Sequence, residues 1–141
     1  MKNDQVAVDA SFLLKLFLPE NKSDQADELW KGWVGDQVEI VGPTLIIFEV
    51  SSVIRNKVFR RILTEREGGE MISLLRRLDI SLIHDEELLD IAWDIGTILN
   101  TPNLYDCFYL ALPKLLSIPL WTADKKLFQS AQKAFAFVNL L

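Results

Sequence analysis

Four acidic residues of this 141-residue chain stand where acids are hard to explain. Asp9 directly follows the apolar run at 6–8. Glu49 has Leu45, Ile46 and Val53 as its helical neighbours at i−4, i−3 and i+4. Asp106 interrupts "LYDCFYLAL" at 104–112, which is otherwise apolar or aromatic with a lone thiol, and Asp124 follows the apolar "IPLWT" at 118–122. Burying a carboxylate without a partner is costly, so such a group is normally paired, protonated or bound to a metal. Plainer explanations exist for each acid. Asp9 and Asp124 are placed to cap the helices that follow them, and Asp106 would be a favoured first-turn acid behind an Asn103 N-cap. "LIIFEV" at 45–50 is apolar nearly all round, which leaves the face of Glu49 open.

Taken together, the four point to a different chemistry. Asp9 and Asp124 fall at strand-to-helix turns, Glu49 lies one or two turns into a helix that follows a strand, and Asp106 lies near a helix start. In a parallel sheet such positions share one rim. Carboxylates converging there repel one another unless a cation joins them, and an all-oxygen ligand set suits Mg²⁺ or Mn²⁺. The single histidine, His84, and single cysteine, Cys107, cannot make a zinc site of the usual kind or an internal disulfide. No Ser/His/Asp or Cys/His arrangement competes.

The elements needed to hold these acids can be read along the chain. Strands are expected at 5–9, 38–41, 80–83, 118–122 and 136–141. Helices are expected at 12–19, 21–36, 42–63, 64–78, 85–99, from about 104, and at 124–135. Pro43 suits a first helical position, and Thr64-x-x-Glu67 has capping-box spacing. Gly68-Gly69 is expected to weaken the first turns of the 64–78 helix, by roughly 1 kcal/mol per glycine. Alternating strands and helices predict an α/β fold with a mainly parallel sheet. The chain shows no linker or repeat, so one domain over 1–141 is expected.

Half of the residues are hydrophobic, enough for a packed core. No apolar run reaches the ~18 residues of a membrane span, and the opening residues do not read as a secretory signal. A cytoplasmic location without membrane association is therefore expected. The net charge of −5 argues against a nucleic-acid partner, but the four acids carry −4 of it, and a bound cation would offset them. Arg55, Lys57, Arg60, Arg61 and Arg66 form a basic stretch, and Lys125 and Lys126 follow Asp124. These could hold phosphates, with Arg55, Lys57, Lys125 and Lys126 as the RNA-binding candidates; for the 55–66 stretch taken alone a solvated helix face is the slightly better explanation.

"VAVDASFLLKLFLPE", "PTLIIFEVSSVIRNKV", "LYDCFYLAL" and "LWTADKKL" resemble, in order and spacing, the motifs of PIN-domain ribonucleases, above all the VapC-type toxins of prokaryotic toxin–antitoxin pairs. The likeness runs from Val6 to about Ala131. It implies a three-layer α/β/α sandwich with a mainly parallel sheet of four or five strands. It maps the family's acidic quartet, catalytic and metal-ligating, onto Asp9, Glu49, Asp106 and Asp124. It gives Thr122 and Ser11 supporting roles. It also implies an Mg²⁺-dependent endoribonuclease with an RNA substrate, a cognate antitoxin and a homodimer. Pro113 departs from the family pattern and is expected to bend the later part of the Asp106 helix. Two other readings are a receiver-like phosphoacceptor domain, using Asp85, Thr122 and Lys125, and a PIN-like module that binds RNA or protein without catalysis.

Overall fold

A computed structural model describes residues 4–141; Met1, Lys2 and Asn3, part of the expected 1–141 domain, lie outside the described residues. The chain runs β1 (Gln5–Val8), α1 (Ala10–Phe17), α2 (Ser23–Gly35), β2 (Glu39–Pro43), α3 (Leu45–Phe59), α4 (Glu65–Arg77), β3 (Ser81–Ile83), α5 (Glu87–Leu99), α6 (Tyr105–Leu116), β4 (Leu120–Thr122), α7 (Lys125–Ala131) and β5 (Val138–Leu140). The five strands form one sheet in the order β3-β2-β1-β4-β5, and every pairing is parallel.

Alternation along the central strands builds the layers. Val6 and Val8 of β1 and Ile40 of β2 join a core with Phe12 and Leu13 of α1, Ile46, Val50 and Ile54 of α3, and Leu75 of α4. Ala7 and Val41, pointing the other way, join Leu88, Ala92 and Ile95 of α5, Leu110 and Leu112 of α6, and Leu127 of α7. The result is the expected three-layer α/β/α sandwich.

Several boundaries differ from the sequence expectation. Pro43 ends β2, in register with Ile83, rather than opening a helix, and α3 starts only at Leu45. A proline with no N–H is tolerated at a strand end as well as at a helix start. The expected 42–63 helix stops at Phe59, where Arg61 takes a left-handed conformation. Thr64 and Glu67 do form the capping box of α4. Gly68 is buried against α3, because a Cβ there would come within 2.5 Å of Val58 Cγ2, whereas Gly69 faces open space. Pro113 is buried in the last turn of α6, which continues to Leu116.

Candidate active site

The turns that leave the carboxyl ends of β1 and β4 are stitched together by side chains. Ser11 Oγ donates to Asp9 Oδ1 (2.7 Å), and Thr122 Oγ1 donates to Asp9 Oδ2. In turn Ser11 Oγ accepts from the backbone N–H of Ala123 (2.9 Å) and Thr122 Oγ1 from that of Asp124 (3.0 Å). Each hydroxyl has a single proton and directs it to Asp9, so the 3.1 Å contact between the two hydroxyls is proximity rather than a third bond. Asp9 also caps α1, accepting from Phe12 N–H at 3.0 Å. The capping and site explanations of Asp9 are thus compatible, and the same holds for Asp124, whose Oδ1 caps α7 through the N–H groups of Lys126 and Leu127.

Asp9 is 3% exposed. Burial raises its carboxyl to about 6, against the opposing hydrogen bonds from Thr122, Ser11 and Phe12. Nearby Asp124 adds to the rise. Glu49, half-buried on α3, is raised first by burial and then by the charge of Asp106. Asp106 is raised by partial desolvation and by Asp124. Charge effects thus run in a chain of pairs, Asp9 with Asp124, Asp124 with Asp106 and Asp106 with Glu49.

Asp106 differs from its sequence expectation. It is the second residue of α6, behind Leu104 as N-cap, and its side chain is exposed; the buried face begins with Cys107 and Tyr109. Asn103 serves the helix start differently from the expected cap, its Oδ1 accepting from Tyr105 N–H. Among the described residues none of the four acids forms a salt bridge; the ion pairs are Lys15–Glu20, Lys31–Asp27, Arg55–Glu65 and Arg66–Glu70.

Tyr109 is the site-lining residue that motif reading passed over. It lies on α6 yet packs with the core of the α1–α4 side, and its phenol faces Glu49, Asp9 and Asp106. Burial and these charges push the phenol well above its usual range. Its place at i+3 from Asp106 was the available signal.

The basic candidates divide. Lys125 and Lys126 are exposed in the first turn of α7, next to Asp124. Arg55 is engaged with Glu65 and lines a groove between α3 and α4. Six residues beyond Glu49, it points to a different side of α3. Lys57 is half-buried near the far end of that helix.

By donor type the acids fit a hard dication: all-oxygen, mutually repelling and without a protein cation. As placed, no group of three or more His, Cys, Asp or Glu side chains among the described residues stands close enough to hold a metal ion. The fit is thus one of chemistry and charge, with the ligand sphere open.

The chain belongs to the PIN domain family, which it matches over residues 6–133. It is 28% identical over 125 residues to Ribonuclease VapC3 of Pyrobaculum aerophilum, covering 87% of this chain and 92% of that protein. Two solved structures share the fold. VapC20 of Mycobacterium tuberculosis, a toxin that cleaves the sarcin–ricin loop, aligns at a TM-score of 0.67 and 15% identity over 89% of this chain and 94% of its own. A toxin–antitoxin complex from Klebsiella pneumoniae aligns at 0.63 and 18% identity over 95% of each chain. No helix among the described residues is long and apolar enough to cross a membrane.

Proposed function

We propose that this protein is an Mg²⁺-dependent endoribonuclease, the toxin of a type II toxin–antitoxin pair, with Asp9, Glu49, Asp106 and Asp124 as its catalytic and metal-ligating acids. The observation that carries the reading is a set of interacting carboxylates at the sheet edge that no lysine, arginine or histidine among the described residues pairs with. Mn²⁺ would serve the same donors.

When bound, the cation stabilises negative charge on the phosphoryl group and acidifies water. The chain's own residues do the rest. Ser11 and Thr122 hold both oxygens of Asp9, so its carboxylate presents a fixed remaining lone-pair direction to the rim. Asp124 uses Oδ1 as a cap, which leaves Oδ2 to orient a water or an ion. Asp106, exposed at the start of α6, and Glu49, half-buried on α3, face the rim from the other side. Lys125 and Lys126 are placed to receive RNA phosphates beside the acids.

The receiver-like alternative loses its geometry. Asp85 follows edge strand β3, whereas Thr122 ends β4 and Lys125 follows it. Two strands separate these in the sheet, a gap of about 14 Å at usual strand spacing. A binding module without catalysis is separated by experiment. Purified protein should cleave RNA with Mg²⁺ and not with chelator, and its expression should arrest bacterial growth while Asp9→Asn does not. Equal toxicity of the two proteins would dismiss nuclease action.

The reading includes a homodimer and an inhibiting antitoxin. Phe48, 66% exposed, and Tyr105, 60% exposed, line one apolar groove with Leu89, and Trp93 is exposed one turn beyond Leu89 on α5. An apolar surface of this kind suits a second copy. The antitoxin would place an Arg against the acids by bidentate pairing. Its affinity should fall as Mg²⁺ rises at fixed ionic strength. A monomeric mass by light scattering would remove the dimer, and Mg²⁺-independent antitoxin binding would remove the Arg.

A further inference from the structure

Tyr109 carries the one polar atom that the account above leaves idle. It is 2% exposed, and its hydroxyl is the single buried side-chain N or O among the described residues without a hydrogen-bond partner. A buried hydroxyl that forms no bond loses its water and gains nothing in return. Phenylalanine would fill the same space in the α1–α4 core without that loss, so packing explains the ring and not the oxygen.

The surroundings suggest what the oxygen is for. The hydroxyl is aimed into the acid site, where Glu49, on the facing helix α3, acts on it most strongly of the three carboxylates around it. Glu49 comes within interacting range of the phenol without closing a well-formed hydrogen bond. A phenol is an O–H donor at neutral pH, and a carboxylate is an acceptor with spare lone pairs. Glu49 is only half-buried and is in no salt bridge, so its side chain has room to settle.

We propose that Tyr109 is a positioning residue of the acid site: its hydroxyl donates to the Glu49 carboxylate in the cation-bound protein and fixes the orientation in which Glu49 reaches the ion. The inference rests on the metal-dependent reading of the quartet and adds to it a residue outside the quartet. It parallels the opposite side of the rim, where the hydroxyls of Ser11 and Thr122 already hold Asp9. Partners that orient metal ligands typically matter about 10- to 100-fold in metal affinity.

The test uses the full chain as wild type, Tyr109→Phe, Glu49→Gln, Asp9→Asn and the Tyr109→Phe/Glu49→Gln double variant. Mn²⁺ binding is measured by calorimetry, and thermal melting is measured in chelator. Tyr109→Phe should melt at or above the wild-type temperature and bind Mn²⁺ about tenfold more weakly. Glu49→Gln should bind more weakly still, and the double variant should match it, because the phenol acts through Glu49. Unchanged affinity in Tyr109→Phe, with binding lost in Glu49→Gln, would overturn the role of Tyr109 and leave the site standing. A further loss in the double variant would show that the hydroxyl acts elsewhere. A lower melting temperature of Tyr109→Phe in chelator would show a hydroxyl already bonded for folding. Wild-type affinity in both Asp9→Asn and Glu49→Gln would remove the metal site, and the inference with it.

Discussion

Two charged regions of the molecule treat charge in opposite ways. At the carboxyl edge of the sheet, four acids interact in pairs, form no ion pair among the described residues, and in three cases lose water to burial. On the arm formed by α3 and α4, charges of both signs alternate, and Arg55–Glu65 and Arg66–Glu70 pair in solvent. The arm's arrangement is near neutral energetically, since exposed pairs contribute little. The edge carries unrelieved repulsion and burial, which a fold keeps only where something else compensates. A run of charge in the sequence therefore said less about the site than single acids isolated among apolar residues.

The largest separation between the regions should appear in catalysis. Asp9→Asn or Asp106→Asn should reduce Mg²⁺-dependent RNA cleavage by about a hundredfold or more, by analogy with the loss of other charge-stabilising groups. Arg55→Ala should leave the rate per bound substrate close to wild type. Single-turnover cleavage of one defined RNA measures both. Near-equal losses would place the arm inside the active site and break the distinction.

Stability against pH comes next. The Asp9 carboxyl rises from 3.8 to about 6 in the folded chain, so between these values the folded state holds a proton that the unfolded state has released. Stability contributed by this group therefore falls as pH rises from about 4 to 6, and the penalty is fully present above 6. The shift corresponds to about 3 kcal/mol. In chelator, the wild type should gain stability on acidification from pH 7.5 to 5. Asp9→Asn, which cannot ionise, should lack that part of the gain and be the more stable protein at pH 7.5. Urea unfolding at the two pH values tests this. A wild type that loses stability more steeply than Asp9→Asn on acidification would reverse the sign. Ion pairs on the arm do not involve Asp9, so removing Arg55 should leave the pH-dependent gain in place.

The smallest effects lie within the arm, at two adjacent glycines. Gly68→Ala would force a methyl against Val58 and should destabilise by about 1–3 kcal/mol, as overpacking does. Gly69→Ala meets open space in mid-helix and should stabilise by up to about 1 kcal/mol. Thermal melts of the two variants should move in opposite directions, and neither should alter Mn²⁺ affinity. A shared direction would mean that α3 and α4 do not pack as closely as Gly68 requires.

Much of the fold was legible in the chain. β1 and β4 are short apolar runs ended by acids, and the Thr64–Glu67 box marks the start of α4 because its two hydrogen bonds are local. Boundaries were less legible where a residue suits two states. Pro43 fits a helix start by its φ and a strand end by its missing N–H, and only its pairing with Ile83 decides. The acids of the proposed site stood out because hydrophobic neighbours in sequence betray burial. That signal overstated Asp106, since a helix start exposes residues whose later neighbours are buried.

What the sequence determined by itself was local: which segments alternate, where helices are capped, and which acids lie in apolar company. Periodicity and capping act over a few residues, so a single strand of text carries them. The tertiary structure alone decided that Ser11 and Thr122, 111 positions apart, meet over Asp9. It also decided that Gly68 must be small, and that Tyr109 crosses from its own helix to bury a hydroxyl among carboxylates. Those outcomes depend on which strands pair and how closely helices approach, distances that no spacing within one element encodes.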